Sequence, residues 1–153
     1  MRYWLFKSEP NKFSIDDLAA SSDQTTAWDG VRNYQARNFM WKQMNIGDQA
    51  FFYHSCCPQP GITGMAEVTR PAYPDATQFD SKSRYHDPKA NLENPRWFNV
   101  EITLIQKTRL LTIKELRQYP ELKRMRILQP GNRLSITPVD PDEWQFILRI
   151  LKA

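Results

Sequence analysis

Apolar and polar side chains alternate most regularly from Trp97 to Ile105, where Phe98, Val100, Ile102 and Leu104 face one way and Asn99, Glu101 and Thr103 the other. A period of two marks an antiparallel strand with one buried face. Residues 2–7 differ, because Tyr3, Trp4, Leu5 and Phe6 are apolar on both faces. That pattern suits a strand near the centre of a sheet, ended by Pro10. Residues 49–55 and 62–68 read as a hairpin with the tip Cys56-Cys57-Pro58-Gln59-Pro60-Gly61. Gly64 inside its second strand marks a bulge or the close approach of another group. A further strand is expected over 133–139.

Helices are announced by their caps. Ser14 with Asp17, and Thr112 with Glu115, have capping-box spacing, with Phe13–Leu18 and Leu111–Leu116 as hydrophobic staples. Asp140, Pro141 and Glu143 open a final helix with Trp144, Ile147, Leu148 and Leu151 as its packed face. Asn33 caps another, whose inner stripe is Ala36, Phe39, Met40 and Met44. Residues 21–26 read as a loop that delivers the chain to Trp28. Residues 70–96 hold four prolines and no sustained period, so they form a long ordered excursion. The elements add up to one α+β domain over 1–153: a curled mixed β-sheet tending to a barrel, with about five or six strands and short peripheral helices.

Composition narrows the classes. With 41% hydrophobic and 25% charged residues the chain is an ordinary globular protein. No apolar run approaches a membrane span, and Lys7 and Glu9 interrupt any signal-like start. A cytoplasmic location is expected, or a nuclear one in a eukaryote. Cys56 and Cys57 are adjacent and only His54 and His86 accompany them, so neither a disulfide framework nor a metal site is expected. No cofactor-binding fingerprint appears. The net charge of +4 permits phosphate binding. Between 107 and 126 seven basic side chains stand against two acidic ones, among them Lys123, Arg124 and Arg126. Taken singly, each fits a solvated helical surface; together they form a candidate phosphate-facing patch.

The richest stretch is Trp28-Asp29-Gly30-Val31-Arg32-Asn33-Tyr34-Gln35-Ala36-Arg37-Asn38. A planar ligand needs such a set: a π face, amides for its edge, and cations for an attached phosphate. For Trp28 taken alone ordinary core packing is the favoured reading; its neighbours shift the balance towards a base. Arg32, Arg37 and Lys42 are the candidate phosphate contacts here.

This stretch, together with Tyr3-Trp4-Leu5-Phe6-Lys7-Ser8-Glu9-Pro10, Gly47-Asp48, Phe52-Tyr53-His54-Ser55, Pro60-Gly61-Ile62, Tyr73-Pro74-Asp75 and Arg133-Leu134-Ser135, resembles the EVE domain family. That family includes the thymocyte nuclear protein group and lies within the PUA-like superfamily. The resemblance implies a PUA-like fold and a pocket for a modified nucleobase, a C5-modified cytosine in DNA or a modified base in RNA. By that comparison Lys7 and Ser8 lie at the pocket floor and Trp28, with Gly30 and Val31, forms one wall. Asn33 reads an exocyclic group of the base, Tyr34 stands beside it, and Tyr53, His54 and Ser55 line the far side. Tyr73 and Trp97 are the candidates for a second wall. Trp41 stands where the family pattern leads one to expect a basic or polar residue, and a cation–π pair with Arg37 is the alternative to phosphate contact.

Three functions are open at this point. The first is a non-catalytic, monomeric module that accepts an unstacked modified base from DNA or RNA. The second is a nucleotide- or RNA-processing enzyme with His54 or His86 as base. The third is a protein-interaction scaffold that uses the 70–96 excursion.

Overall fold

The computed structural model describes residues 1–152; Ala153, the last residue of the expected domain, lies outside them. One six-stranded sheet carries the fold: β1 (Tyr3–Ser8), β2 (Thr25–Ala27), β3 (Gln49–His54), β4 (Gly61–Pro74), β5 (Phe98–Thr112) and β6 (Ile136–Val139). The strand order is β2-β5-β4-β3-β1-β6. All neighbours are antiparallel except β1 and β3. A parallel pair needs a long crossover. Here it carries α1 (Ile15–Ala20), β2, α2 (Tyr34–Asn38) and a π-helical turn at Phe39–Gln43. Two more helices, α3 (Ile113–Leu116) and α4 (Pro141–Lys152), follow β5 and β6. The fold is the expected α+β class with a mixed sheet and short helices.

The caps behave as the sequence predicts. Ser14 Oγ accepts from Asp17 N while Ser14 N donates to the Asp17 carboxylate. Thr112 Oγ1 accepts from Glu115 N, and Asp140 N donates to Glu143. The stripe Ala36, Phe39, Met40 and Met44 is buried. Two elements differ from expectation. β4 and β5 run for 14 and 15 residues, well past 62–68 and 97–105, and they pair across four register shifts. Each shift resets which residues face the core, so the period of two breaks although the ladder continues. β2, expected as loop, is a three-residue edge strand on β5 and too short to show a period.

Packing on both sheet faces explains the apolar run at the start of the chain. Trp4, Phe6, Ala50 and Phe52 point to one side, where they meet Trp28, Met40, Val100 and Ile102. Leu5, Phe51 and Tyr53 point to the other, against Leu111, Leu116, Trp144 and Ile147. Gly64 has the close approach expected of it: a Cβ there would stand 2.6 Å from Ile15 Cδ1, so the glycine lets α1 seat on β4. Asp48, 2% exposed, accepts from Trp4 Nε1, Arg2 N and Asn45 N, which fixes the start of β1 to the turn before β3. Among the described residues no helix is long and apolar enough to cross a membrane.

Candidate nucleobase-binding cleft

A cleft of about 520 Å³ opens at the C-terminal end of β1. Its floor is Lys7, Ser8 and Glu9, one wall is the 26–32 loop, and Phe13, Tyr85 and Ser135 close the rest. Five of the residues expected at the pocket therefore do line it: Lys7, Ser8, Trp28, Gly30 and Val31. The Ser8 hydroxyl donates to Phe13 O at 2.6 Å, leaving its oxygen free to accept from a ligand.

The loop holding Trp28 is fixed from several directions. Trp28 N donates to Val100 O at 2.9 Å, which extends the β2–β5 ladder by one bond. The indole lies edge-on to Phe6, Phe52 and Phe13, with ring centroids 5.1, 5.7 and 6.4 Å away, and only 9% of the residue is exposed. Trp28 is thus a core residue and a cleft residue together. Gly30 takes φ +80°, and its N–H donates to Asp75 Oδ2 at 2.8 Å. A Cβ at Gly30 would come within 2.8 Å of the Tyr85 ring, so glycine serves both the backbone and the packing.

Asp75 joins this loop to the excursion. Fully buried, it accepts from Gly30 N, Arg32 Nη1, Thr77 N and Thr77 Oγ1. Burial pushes its carboxyl up, but these bonds outweigh burial and hold it below the ordinary 3.8. Gln78, also fully buried, closes the excursion: its Nε2 donates to Asp75 O and Trp97 O, and its Oε1 accepts from Arg96 N and Trp97 N. Segment 75–97 is consequently an ordered wall that presents Tyr85 to the cleft. Neither earlier candidate forms that wall. Tyr73 bonds Glu101 and stacks on Arg70, while Trp97 stacks on Tyr34 and donates to Asp87.

Several other expected residues lie elsewhere. Asn33 Oδ1 accepts from Ala36 N as the α2 cap, which occupies its acceptor. Tyr34 is 47% exposed and lies on Trp97, with its hydroxyl bonded by Arg96. Tyr53 points into the opposite core layer, where burial pushes its phenol up to about 12. Period two carried that signal in the sequence: if Phe52 faces Trp28, Tyr53 cannot. His54 faces the correct side but accepts Ile15 N–H on Nε2 at 3.1 Å, beneath α1. Ser55 continues the β1–β3 pairing through its N–H to Ser8 O and does not reach the cleft. His86, the other candidate base, sits in a separate hollow with Phe79 and Leu92.

The expected phosphate contacts are also redistributed. Arg32 directs its five N–H donors to Val31 O, Asp75, Thr77 Oγ1 and Tyr85 O, so it acts as a strut. Arg37 bonds Asn38 and Arg96 O and lies over Tyr34 at 4.6 Å and Trp41 at 5.3 Å, the cation–π arrangement considered above. Lys42 lies over Trp41 and outside the cleft lining. Lys123, Arg124 and Arg126 flank Leu122, Met125 and Ile127, which are buried in the core layer opposite Trp28. Within the same basic run, Lys107 pairs with Asp16 and Arg109 with Glu115. The cations lining the cleft besides Arg32 are instead Lys7 and Lys12, while Arg84, outside the lining, has its guanidinium 5.1 Å from the Tyr85 ring centroid.

His54→Ala is expected to cost about 1 kcal/mol, the loss of one hydrogen bond at the start of α1, and to leave ligand binding in the cleft unchanged. Burial lowers the His54 pKa below 6.5, so the neutral ring's contribution is complete above that value and is lost as pH falls through the lower folded value. Denaturant titrations of both proteins at pH 7.5 and 5 test this: the difference between them should shrink at the lower pH.

The sequence profile of the EVE domain matches residues 2–150. The chain belongs to the EVE domain family. Human thymocyte nuclear protein 1 is 42% identical over 166 residues, covering 97% of this chain and 73% of its own length. The crystal structure of a protein from Pseudomonas putida superposes with a TM-score of 0.91 at 48% identity, covering 97% of this chain and 98% of that one. The crystal structure of human THYN1 protein in complex with 5-methylcytosine-containing DNA superposes with a TM-score of 0.92 at 39% identity, covering 100% of this chain and 99% of that one.

Proposed function

We propose that this chain is a non-catalytic reader of modified DNA that accepts one unstacked base, a C5-modified cytosine, in the cleft between Trp28 and Tyr85. The observation that carries the reading is the cleft itself: aromatic walls, hydrogen-bonding groups on the floor and cations at the rim, in a fold shared over its full length with a protein crystallised on 5-methylcytosine-containing DNA. Extruding a base costs a few kcal/mol, least from single strands or mismatches, and stacking must recover it. Lys7 and Lys12 supply the salt-dependent, sequence-independent share of the affinity. His54 speaks against a histidine-driven hydrolase, since its Nε2 is already bonded by the backbone.

The test is titration of the protein with oligonucleotides that differ only in one 5-methylcytosine, single-stranded and duplex, as DNA and as RNA, at two salt concentrations. Modified DNA should bind more tightly than unmodified DNA. Tyr85→Ala should weaken binding by roughly five- to a hundredfold, since stacking is worth ~1–3 kcal/mol per base. Tyr85 sits on the excursion rather than in either core layer, so this variant separates stacking from folding. Equal binding of methylated and unmethylated strands, with no loss in Tyr85→Ala, would sink the reading. A preference for the RNA strand would move the ligand class from DNA to RNA.

A further inference from the structure

We propose that Asp29 reads the Watson–Crick edge of the bound base and selects cytosine-class bases over thymine by sharing a proton with ring nitrogen N3. The inference rests on the reading of the cleft as a base site.

Several other polar side chains of the cleft are committed, and of those that are not, Lys7, Tyr85 and Ser135, none carries a carboxyl. Ser8 donates to Phe13 O, Glu9 pairs with Lys12 at 3.0 Å, and Arg32 has no donor left. Asp29 lines the cleft, and no other described residue donates to its carboxylate. Its position is nevertheless fixed, because the residues on either side are anchored: Trp28 N to Val100 O at 2.9 Å and Gly30 N to Asp75 at 2.8 Å. The same short loop therefore carries the aromatic wall and an unpartnered carboxyl.

A reader of 5-methylcytosine has to reject thymine, which has the same ring and the same methyl group. Stacking and shape cannot separate them, since apolar pockets discriminate poorly between isosteres, whereas hydrogen-bonding sites discriminate strongly. The two bases differ at position 4, amino against carbonyl, and at N3, acceptor against donor. A carboxyl carrying one proton accepts from the N4 amino group and donates to N3. Cytosine N3 is a base of strength comparable to a carboxylate, so the proton is held between two matched groups. Thymine O4 is far less basic and its N3–H far less acidic, so there the carboxyl would have to hold the proton alone.

The surroundings favour that proton. Asp29 is an exposed residue at the cleft, yet partial desolvation of its carboxyl there, then the negative charge of Asp75, raise that carboxyl above its ordinary value, and its own backbone N–H and Arg32 oppose this only in part. The other titratable and charged groups facing the cleft are Lys7, Glu9 and Lys12 from the end of β1 and the turn after it, and Tyr85 from the excursion. Glu9 and Lys12 offset one another as a pair.

The experiment measures affinity for single-stranded oligonucleotides with 5-methylcytosine or thymine at one position, from pH 6 to 8.5, in the wild type, Asp29→Asn and Tyr85→Ala. In the wild type, affinity for 5-methylcytosine should rise as pH falls, by up to tenfold per unit for one proton taken up, and should exceed that for thymine at least tenfold. In Asp29→Asn, whose amide offers an acceptor and a donor without titrating, the pH dependence should disappear and the preference over thymine should fall below about threefold. An unchanged melting temperature in Asp29→Asn shows that the fold is intact. If Tyr85→Ala loses binding while Asp29→Asn keeps the wild-type pH slope and preference, the role of Asp29 is overturned and the base cleft stands. If Tyr85→Ala binds like the wild type, the cleft is not the base site and both readings fall.

Discussion

Asp75→Ala is expected to lower the unfolding free energy by about 3–5 kcal/mol, the range for removing one partner of a buried ion pair. Asp75 is fully buried, and four donors converge on it from two segments, residues 30–32 and Thr77. Removing the carboxylate leaves Gly30 N–H, the Thr77 hydroxyl and part of the Arg32 guanidinium without an acceptor. Arg32 also bonds Tyr85 O, so the loss reaches the second wall of the cleft. Denaturant unfolding monitored by tryptophan emission measures the effect, and a change under 1 kcal/mol would show that the excursion is held by other contacts. The same carboxylate makes a prediction about pH. Its folded pKa lies below the ordinary 3.8, so its contribution is complete above that value and is lost as pH falls through the lower folded value. The stability gap between the wild type and Asp75→Ala should therefore close in acid.

Trp28→Ala is expected to cost about 3–5 kcal/mol through the cavity it opens beside Phe6, Phe13 and Phe52. At 2–4 °C per kcal/mol for a chain of this size, the melting temperature should fall by roughly 6–20 °C. Oligonucleotide binding should be lost as well. Because both losses come together, Trp28→Ala does not separate a stacking role from a core role. Trp28→Phe keeps an aromatic ring against Phe6 and Phe52 and should retain most of the stability. Calorimetry of the two variants checks this. Near-wild-type melting of Trp28→Ala would mean that the indole is not part of the core.

The helix starts were legible because a cap is a local device: Ser14 with Asp17 and Thr112 with Glu115 lie within one turn of each other. The first strand was legible because its apolar run has no polar face. The candidate site was legible only in part. Lys7, Ser8, Trp28, Gly30 and Val31 reached the cleft, while Asn33 spent its side chain on the helix cap that the sequence also predicted for it. Asp29 stood in the motif but not among the expected ligand contacts. Tyr53 could have been set aside by strand parity alone.

Tyr85 carried no sequence signal beyond the length of the excursion around it. Its place in the cleft depends on Asp75, Gln78 and Arg32, which bond across 43 to 53 positions in the case of Arg32 and 18 to 19 where Gln78 meets Arg96 and Trp97. Charge behaved in the same way. A basic residue in a sequence is a candidate for any anion, and only the fold shows that Arg32 and Arg37 are satisfied within the protein while Lys7 and Lys12 stand at the cleft. The sequence by itself determined the class of fold, the helix caps and the first cleft wall, since each is set by neighbours in the chain or by a repeating face. The second wall, the assignment of the cations and the free carboxyl of Asp29 were decided by tertiary structure, because hydrogen-bond partners are shared out only when distant segments meet.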